Sequence, residues 1–345
     1  MAGALSLAQA PVLKAVPAWR KPLKAVVSVR ASSNPSSEAA SSSTKTTREA
    51  PKSLDLSETF SPPPNFKPPE PKRFGVRPDK ILDVLGASLS LIFRLGTGVF
   101  VSGYSASFAS GSEIPPGQYA LDIAGIKVKE ASKVGPRPEK PIEIYEFERY
   151  ILFSCNLPCN QVREIVAVLD LDVLFYPCPR NGPNFRPWVG KMGGKQQFPY
   201  MVDPNTGVAM YESDEIIKYL VTKYGDGSVP FMLSLGLLTT LTEGFAMIGR
   251  MGKGSSYRPS KMPPKPLEVW AYEGSPFCKL VREALVELEL PHLVRNCARG
   301  SLKRQILYEK AGHFQVVPYL VDPNTGVEMF ESAEIVEYLQ ATYAL

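Results

Sequence analysis

The sequence is poor in the residues that build metal sites and disulfide frameworks. It has only two histidines, His292 and His313, and neither stands in a Cys/His ligand pattern. A structural zinc site needs four such ligands at close spacing, so we predict no metal cofactor. The five cysteines are an odd number, which is not the pattern of a secreted domain held together by disulfides.

Acidic residues are missing from the N-terminal region, where the first is Glu38. Residues 1–30 hold five basic residues, which equal the whole formal charge of +5, so the remaining chain is neutral overall. A basic nucleic-acid-binding protein is therefore not expected. Alanine, serine and spaced basic residues without a long apolar stretch are typical of organellar transit peptides. We predict that residues 1–31 direct the chain to the chloroplast stroma, with the mitochondrion as the alternative.

Long hydrophobic runs are also missing. Residues 32–79 are Ser/Thr-rich and then Pro-rich, which predicts a disordered or extended linker. Residues 80–141 begin with an apolar helical face that Asp83 and Arg94 interrupt. A membrane-spanning helix needs about 20 predominantly apolar residues, so a helix packed on a domain is favoured over membrane association. Loose alternation in residues 118–130 predicts a strand.

What the sequence does contain is an internal repeat. Residues 198–220 agree with residues 317–339 at 16 of 23 positions, at an offset of 119 residues. The same offset places Cys159 on Cys278. Chance similarity does not extend over such a span, so the chain carries a duplicated domain.

Each copy has the predicted element order β-α-β-α-β-β-α. We place the first copy at residues 142–226 and the second at 266–345, joined by a helical linker at 227–265. In each copy a β-branched or aromatic run precedes a cysteine-bearing turn and a helix with apolar residues at i, i+3 and i+4. Further on, Asp-Pro-Asn-Thr-Gly separates two strands and predicts a tight hairpin.

These features resemble the N-terminal domain of soluble glutathione transferases and the glutaredoxins, of the plant plastid type. The resemblance implies an α/β fold with two thioredoxin-like domains in tandem, extra helices before each and a disordered N-terminal region. It also implies glutathione as the ligand. The proline entering the third strand resembles the cis-proline opposite the active-site turn, and the Glu-Ser pair resembles the one that holds the γ-glutamyl end. The implied ligand-binding residues are Phe198, Pro199, Glu212 and Ser213 in the first copy and Val317, Pro318, Glu331 and Ser332 in the second.

Ser213 and Ser332 stand where a helix N-cap belongs. The free backbone N–H groups at such a position attract a carboxylate, which would suit the γ-glutamyl end of glutathione. Capping of the serine's own helix, without ligand binding, is the alternative.

The turn of the second copy, Ser275-Pro-Phe-Cys278, resembles a glutaredoxin-like Cys-Pro-Phe-Cys turn whose attacking cysteine is replaced by Ser275. Cys278 then holds the resolving position. A helix dipole lowers a thiol pKa by under about one unit, so we expect Cys278 to be mostly protonated and dithiol exchange to be absent here. Ser275 also resembles the serine that activates the glutathione thiolate in some transferases, and a purely structural turn is the alternative.

The turn of the first copy contains Cys155 and Cys159, one residue too far apart for Cys-x-x-Cys. Two alignments of the copies are open. One takes residues 142–147 as the first strand and requires six extra residues before Cys159, whereas the gapless one takes residues 150–153. The first is preferred because acidic and aromatic residues then match those of the second copy. Cys155 and Cys159 are both candidate redox residues.

The predicted function is a glutathione-linked thiol–disulfide oxidoreductase in plastid redox homeostasis. Cys159 and Cys155 would attack, and the partners would be glutathione or thiol and disulfide protein substrates. The alternative is a catalytically impaired scaffold that binds glutathione or protein with the same fold. A conjugating transferase is less favoured, because that activity needs a large all-helical domain and only about 40 residues separate the copies.

Overall fold

The structure is a computed structural model that describes most of the chain from residue 60 onward. The described residues are 60–72, 75–93, 105–110, 121–123, 126–131, 135–148, 158–250, 252–298, 301–312 and 317–345. The predicted transit peptide at 1–31 lies outside them, as do Cys155 and the rest of the turn before Pro158.

Two short helices replace the single helix predicted after residue 80. They are α1 (Ile81–Ala87) and α2 (Leu89–Phe93). The break falls at Ser88, whose hydroxyl donates to the Val84 carbonyl at 2.7 Å and so closes α1. Such bonding between a serine and its own backbone competes with helix continuation.

The strand predicted within residues 118–130 belongs to a small antiparallel sheet. Its strands are β1 (Ser105–Ala109), β2 (Leu121–Ile123) and β3 (Ile126–Ala131), in the order β1-β3-β2. Loose alternation identified the region but not its division into two strands.

The two copies fold with the element order that the sequence predicts. The first domain consists of β4 (Ile142–Glu146), α3 (Pro158–Val168), β5 (Val173–Pro177), α4 (Phe185–Gly193), β6 (Tyr200–Asp203), β7 (Val208–Tyr211) and α5 (Ser213–Tyr224). Between the domains lies α6 (Leu237–Ile248). The second domain consists of β8 (Leu267–Ala271), α7 (Pro276–Glu287), β9 (His292–Asn296), α8 (Lys303–Ala311), β10 (Tyr319–Asp322), β11 (Val327–Met329) and α9 (Ser332–Tyr343). Because β4 pairs as β8 does, parallel to the next strand and antiparallel to the third, it confirms the alignment with extra residues before Cys159.

Each domain has its own apolar core beneath its first and last helices. In the first domain Ile165 and Leu220 are fully buried against the sheet, and in the second Leu285 and Leu339 are buried in the same way. Along each of these helices the buried apolar side chains lie at the i, i+3, i+4 spacing that predicts one apolar helix face. Each such burial contributes about 1.5–3 kcal/mol, so the repeated pattern fixes both helices on the sheet.

The eight strands of the two domains form one continuous sheet, in the order β11-β10-β8-β9-β5-β4-β6-β7. The domains join where β5 pairs antiparallel with β9, and we call this junction the seam. Val173 pairs with Val294 and Phe175 with His292, on either side of the Leu174–Leu293 pair. Since residues 173–175 are the repeat equivalents of residues 292–294, this seam is symmetric about its central leucines. The domains are therefore related as subunits of an isologous dimer are, within one chain.

Each domain also supports the start of a helix in the other. Glu289 accepts hydrogen bonds from the backbone N–H groups of Asn184, at 3.1 Å, and Phe185, at 2.9 Å, where α4 begins. Asp170, its repeat equivalent, accepts from the Ser301 hydroxyl at 2.8 Å, just before α8. A carboxylate is favourable at a helix N-terminus because it satisfies free N–H groups and the helix dipole. These exchanged contacts strengthen the seam.

The Asp-Pro-Asn-Thr-Gly hairpins have the same hydrogen bonds in both domains. Asp203 accepts from the hydroxyls of Tyr219 and Tyr224 at 2.6 and 2.5 Å, which ties the hairpin to α5. Asp322 accepts in the same way from two tyrosines of α9, at 2.6 Å each. The repeated motif is thus a structural clamp between the hairpin and the last helix.

The helical layer before and between the domains packs closely on the second domain. Buried Arg250 donates to Glu283 of α7 and to the Asp83 carbonyl of α1. A Cβ atom on Gly86 would lie 2.4 Å from the Gly249 carbonyl oxygen, so only glycine permits this approach. Within the described residues, none of the helices is both long and apolar enough to cross a bilayer.

Within the predicted linker, residues 60–72 lie in no helix or strand but are packed, and the last residues of the linker begin a 3₁₀ helix at Pro78–Lys80. Phe60 and Phe66 contact the core of the second domain. The two aromatic side chains keep this part on the domain surface, and the backbone turns where the Phe66 N–H donates to the Pro63 carbonyl at 3.0 Å, so it is not extended throughout.

Candidate functional site

We call the residues implied for glutathione binding in each copy its frame. The frame of the first domain consists of Phe198, Pro199, Glu212 and Ser213. The Phe198–Pro199 peptide is cis, as the resemblance implies. The Phe198 ring lies 5.6 Å from that of Phe147, which follows β4, so the proline loop lies beside the strand that leads to the turn. The Arg186 guanidinium lies 4.7 Å from both ring centroids. Glu212 is exposed and accepts a hydrogen bond from the Gln197 side chain.

The helix start differs by one residue from the prediction that Ser213 and Ser332 are N-caps. The N-cap positions are held by Glu212 and Glu331, which make no capping hydrogen bond with their side chains. Their φ angles are 67° and 70°, a region that side-chain-bearing residues seldom adopt. The chain turns sharply at the glutamate, so the serine already belongs to the helix. Such outliers cluster at ligand-binding sites, and both copies retain one at the same place.

The first turns of α5 and α9 leave backbone N–H groups that are not bonded within their own helices. The first intrahelical donors of α5 and α9 are Ile216, bonded to the Glu212 carbonyl at 2.9 Å, and Ile335, bonded to the Glu331 carbonyl at 2.9 Å. The N–H groups before them have no partner within the helix, which suits an anionic ligand group. The helix start therefore has first-turn N–H groups that can accept an anionic ligand, even though the serine is not the cap.

The frame of the second domain has the same geometry but is covered. The Val317–Pro318 peptide is cis, and Val317 packs in one cluster with Tyr272 and Cys278 of the turn. Ser332 is buried, and the Glu331 carboxylate accepts a hydrogen bond from the backbone N–H of Lys72 at 2.5 Å. The second frame is thus already in contact with another part of the chain.

The turn of the second domain is structural in its described contacts. Ser275 caps α7, because its hydroxyl accepts from the Cys278 N–H at 3.4 Å. The Cys278 sulfur accepts from the Tyr272 N–H at 3.4 Å. Burial raises the pKa of the Cys278 thiol above its ordinary value. The thiol is therefore protonated at neutral pH, in agreement with the expectation that this copy lacks dithiol exchange.

Cys159 is not placed as an attacking thiol, contrary to its predicted role. It is buried beside Glu146, and burial followed by the repulsion from that carboxylate raises its pKa to about 12. The thiolate is the nucleophile, so Cys159 is a poor one. Cys178 and Cys297 are buried free thiols with raised pKa values as well. Cys155, the other predicted redox residue, lies outside the described residues.

A buried ion cluster across the seam was not identified from the sequence. Arg163 of α3 contacts Glu148 at 3.0 Å and Glu273 of the other domain at 3.5 Å. Its repeat equivalent Arg282 contacts the same two carboxylates at 2.7 and 2.6 Å. The signal was present in the sequence, since the repeat offset pairs Arg163 with Arg282, but their convergence depends on the β5–β9 pairing.

This cluster controls the ionisation of its acidic members. Burial opposes charge on Glu148, but Arg163, Lys279 and Arg282 outweigh it and hold the pKa of that carboxyl below its ordinary value. Glu146 has Arg163 as its hydrogen-bonded partner, and burial raises its pKa to about 7. The charged side chains of this cluster thus come from both domains and form ion pairs across the seam.

A small cavity of about 30 Å³ lies beside the cluster, with Arg163, Cys278, Arg282 and His292 among its lining residues. That volume accommodates a water molecule but not a tripeptide. In the described part of the chain, no three His, Cys, Asp or Glu side chains are grouped so that they could hold a metal ion.

Comparison with known proteins agrees with this geometry. The family model for the glutathione S-transferase N-terminal domain matches residues 152–228 and, separately, residues 270–345. No curated protein and no solved structure matches the chain. Within residues 152–345, two consecutive matches to one family, on two domains with the same element order, show two thioredoxin-like glutathione S-transferase N-terminal domains in tandem.

Proposed function

We propose that this protein is a glutathione-linked thiol–disulfide oxidoreductase of the chloroplast stroma, with its binding site in the first domain. The observation that carries the proposal is the open frame made by cis-Pro199, exposed Glu212 and the free N-terminus of α5. The family match supports a glutathione-related function for this frame. The alanine-, serine- and arginine-containing N-terminus supports the plastid location.

The attacking thiol in this proposal is Cys155. The described thiols, Cys159 among them, are buried, whereas Cys155 precedes the start of α3 in the sequence. The Cys155 thiolate attacks the glutathione sulfur of a protein–glutathione mixed disulfide and releases the protein thiolate, which takes up a proton. A second glutathione thiolate then attacks the Cys155–glutathione disulfide, which regenerates the Cys155 thiolate and yields oxidised glutathione. Glutathione is the reductant of this cycle.

Paired substitutions test this assignment. We expect Cys155→Ser to abolish glutathione-dependent reduction of a glutathionylated peptide and Cys159→Ser to leave most of it. Ser213→Ala tests the binding frame, and we expect a higher KM for the glutathionylated substrate. Loss of turnover in Cys159→Ser with full turnover in Cys155→Ser would contradict the assignment, provided that circular dichroism shows both variants folded.

The second candidate is a binding scaffold without turnover. It is favoured by the burial of the four described cysteines and by the replacement of a turn cysteine by Ser275. This candidate predicts glutathione binding by calorimetry with no reduction of the mixed disulfide. It also predicts that Cys155→Ser changes neither measurement.

A further inference from the structure

Residues 60–72, which we call the strap, follow α9 from its end to its start. The ring of Phe60 lies 5.3 Å from that of Tyr343, and the ring of Phe66 lies 5.1 Å from that of Tyr338. At the start of α9, the backbone N–H of Lys72 donates to the Glu331 carboxylate at 2.5 Å. The strap therefore reaches the frame residue that corresponds to the γ-glutamyl-binding position of the family.

An ionic contact anchors the chain just beyond the strap. Arg77 contacts Glu337 at 2.8 Å and Glu334 at 3.5 Å, both on α9. In the first domain, the repeat equivalent of Glu337 is Lys218, which pairs with Glu215. A lysine there would repel the arginine, so this anchor fits the second domain alone.

The frame of the second domain, on which the strap lies, is more buried than the frame of the first domain. Met329, Ser332 and Ala333 of the second domain are buried. Their equivalents in the first domain are half-buried Met210, half-buried Ser213 and exposed Asp214. The same strand end and helix start are therefore closed in one domain and open in the other.

We propose that the second frame is an intramolecular peptide-binding site whose ligand is the strap, so that the chain binds glutathione in the first frame alone. This inference rests on the proposed glutathione site and deepens it, because it assigns one ligand to each frame. The Lys72 N–H already uses the Glu331 carboxylate, and the two phenylalanine contacts hold the strap along α9. The strap lies after the predicted transit peptide at 1–31, so processing there leaves it in place.

The test is a titration of the full chain with reduced glutathione in a calorimeter. We expect one site per chain in the wild type and two in the double variant Phe60→Ala/Phe66→Ala, which loses both aromatic contacts. Hydrogen exchange supplies a readout that does not depend on glutathione. The amides of residues 329–334 should exchange at least about tenfold faster in the double variant, since local protection reflects such contacts. Phe231→Ala, which removes an exposed phenylalanine of the segment between α5 and α6, is the matched control and should leave both measurements unchanged.

The outcomes separate this inference from the proposed function. Two sites in the wild type, or no added site in a double variant whose α9 start has lost protection, would overturn the inference. Unchanged exchange in the double variant would overturn it too. No site in the wild type and one in the double variant would support the strap as the ligand of the second frame, while it would refute glutathione binding by the first.

Discussion

The two domains share a fold and a frame, but the frame glutamate is exposed in one and bonded to another part of the chain in the other. Both have a cis-proline before the third strand and a glutamate at positive φ before the last helix. In the first domain Glu212 is exposed, whereas in the second Glu331 is bonded to Lys72. The turns differ in sequence as well, since Ser275, which caps α7, has Asn156 as its equivalent in the first domain.

This comparison separates the packing contacts that both domains share from the surface positions at which they differ. The Asp203 and Asp322 clamps and the core helices are alike in the two domains, and in each they hold the hairpin against the last helix. The frame surface differs between the domains, as at Asp214 and its equivalent Ala333. Retention of a frame therefore indicates retention of the fold, and its exposure decides whether it can bind a ligand.

The largest expected effect comes from two arginines at the seam that are equivalent in the repeat but differ in exposure. Arg163 is almost fully buried and contacts carboxylates of both domains, whereas Arg282 is slightly more exposed. Removing one member of a buried ion group costs about 3–5 kcal/mol, because it leaves charge uncompensated. We expect Arg163→Met to lower the free energy of unfolding by that amount, and Arg282→Met by less. Urea unfolding followed by circular dichroism measures both.

The shape of the transition is part of this prediction. Because β5 and β9 join the domains into one sheet, the described domains should unfold together in one transition. The exposed Lys218→Ala variant is the control and should unfold like the wild type. Two separate transitions in the wild type would contradict the coupling, and equal losses in the two arginine variants would contradict the role assigned to the deeper burial of Arg163.

The two strands of the seam differ at His292, because its repeat equivalent in the first domain is Val173. Burial, opposed by the Leu290 carbonyl contact, lowers the pKa of His292 from 6.5 to about 4. Between these values the unfolded chain binds a proton that the folded chain does not. Stability from this residue is thus fully present above pH 6.5 and falls as the pH drops towards 4, by at most about 3 kcal/mol.

His292→Val should remove this pH dependence by giving the second domain the residue of the first. We expect the difference in unfolding free energy between wild type and variant to change by about 3 kcal/mol between pH 7 and pH 4. Urea titrations at several pH values measure it. A difference that is constant across this range would show that His292 does not titrate as its burial implies.

The sequence predicts the fold well because the repeat supplies two readings of each element. The apolar spacing of Ile165 and Leu285, and the shared Asp-Pro-Asn-Thr-Gly hairpins, each appear twice and agree. Local patterns of this kind predict helices and turns, whereas the cis-proline frame is implied by the resemblance to the glutathione transferase domain. They do not predict Ser88 as a helix break, because a serine in an apolar helix gives no signal of where its hydroxyl will bond.

The candidate site is less predictable, since its character depends on contacts between distant residues. Burial beside Glu146 makes Cys159 a poor nucleophile, and that contact follows from how α3 packs behind β4. Lys72 reaches Glu331 across 259 positions of the chain. Residue type and spacing identify frame residues, but tertiary packing decides whether each is reactive, open or covered.

The smallest expected effect compares the same hydrogen bond in two settings. Tyr338 is buried and Tyr219 is partly exposed, yet each donates to its hairpin aspartate at 2.6 Å. Hydrogen bonds to a charged acceptor contribute about 1.5–3 kcal/mol when water cannot replace them. We expect Tyr338→Phe to lower the free energy of unfolding by about 2 kcal/mol and Tyr219→Phe by about 1 kcal/mol, because water can reach the second site. The phenylalanine keeps the ring on which Phe66 packs, so the strap contact is unchanged and only the hydroxyl is tested. Equal losses in urea unfolding would mean that the cover over the second domain does not exclude water from its clamp.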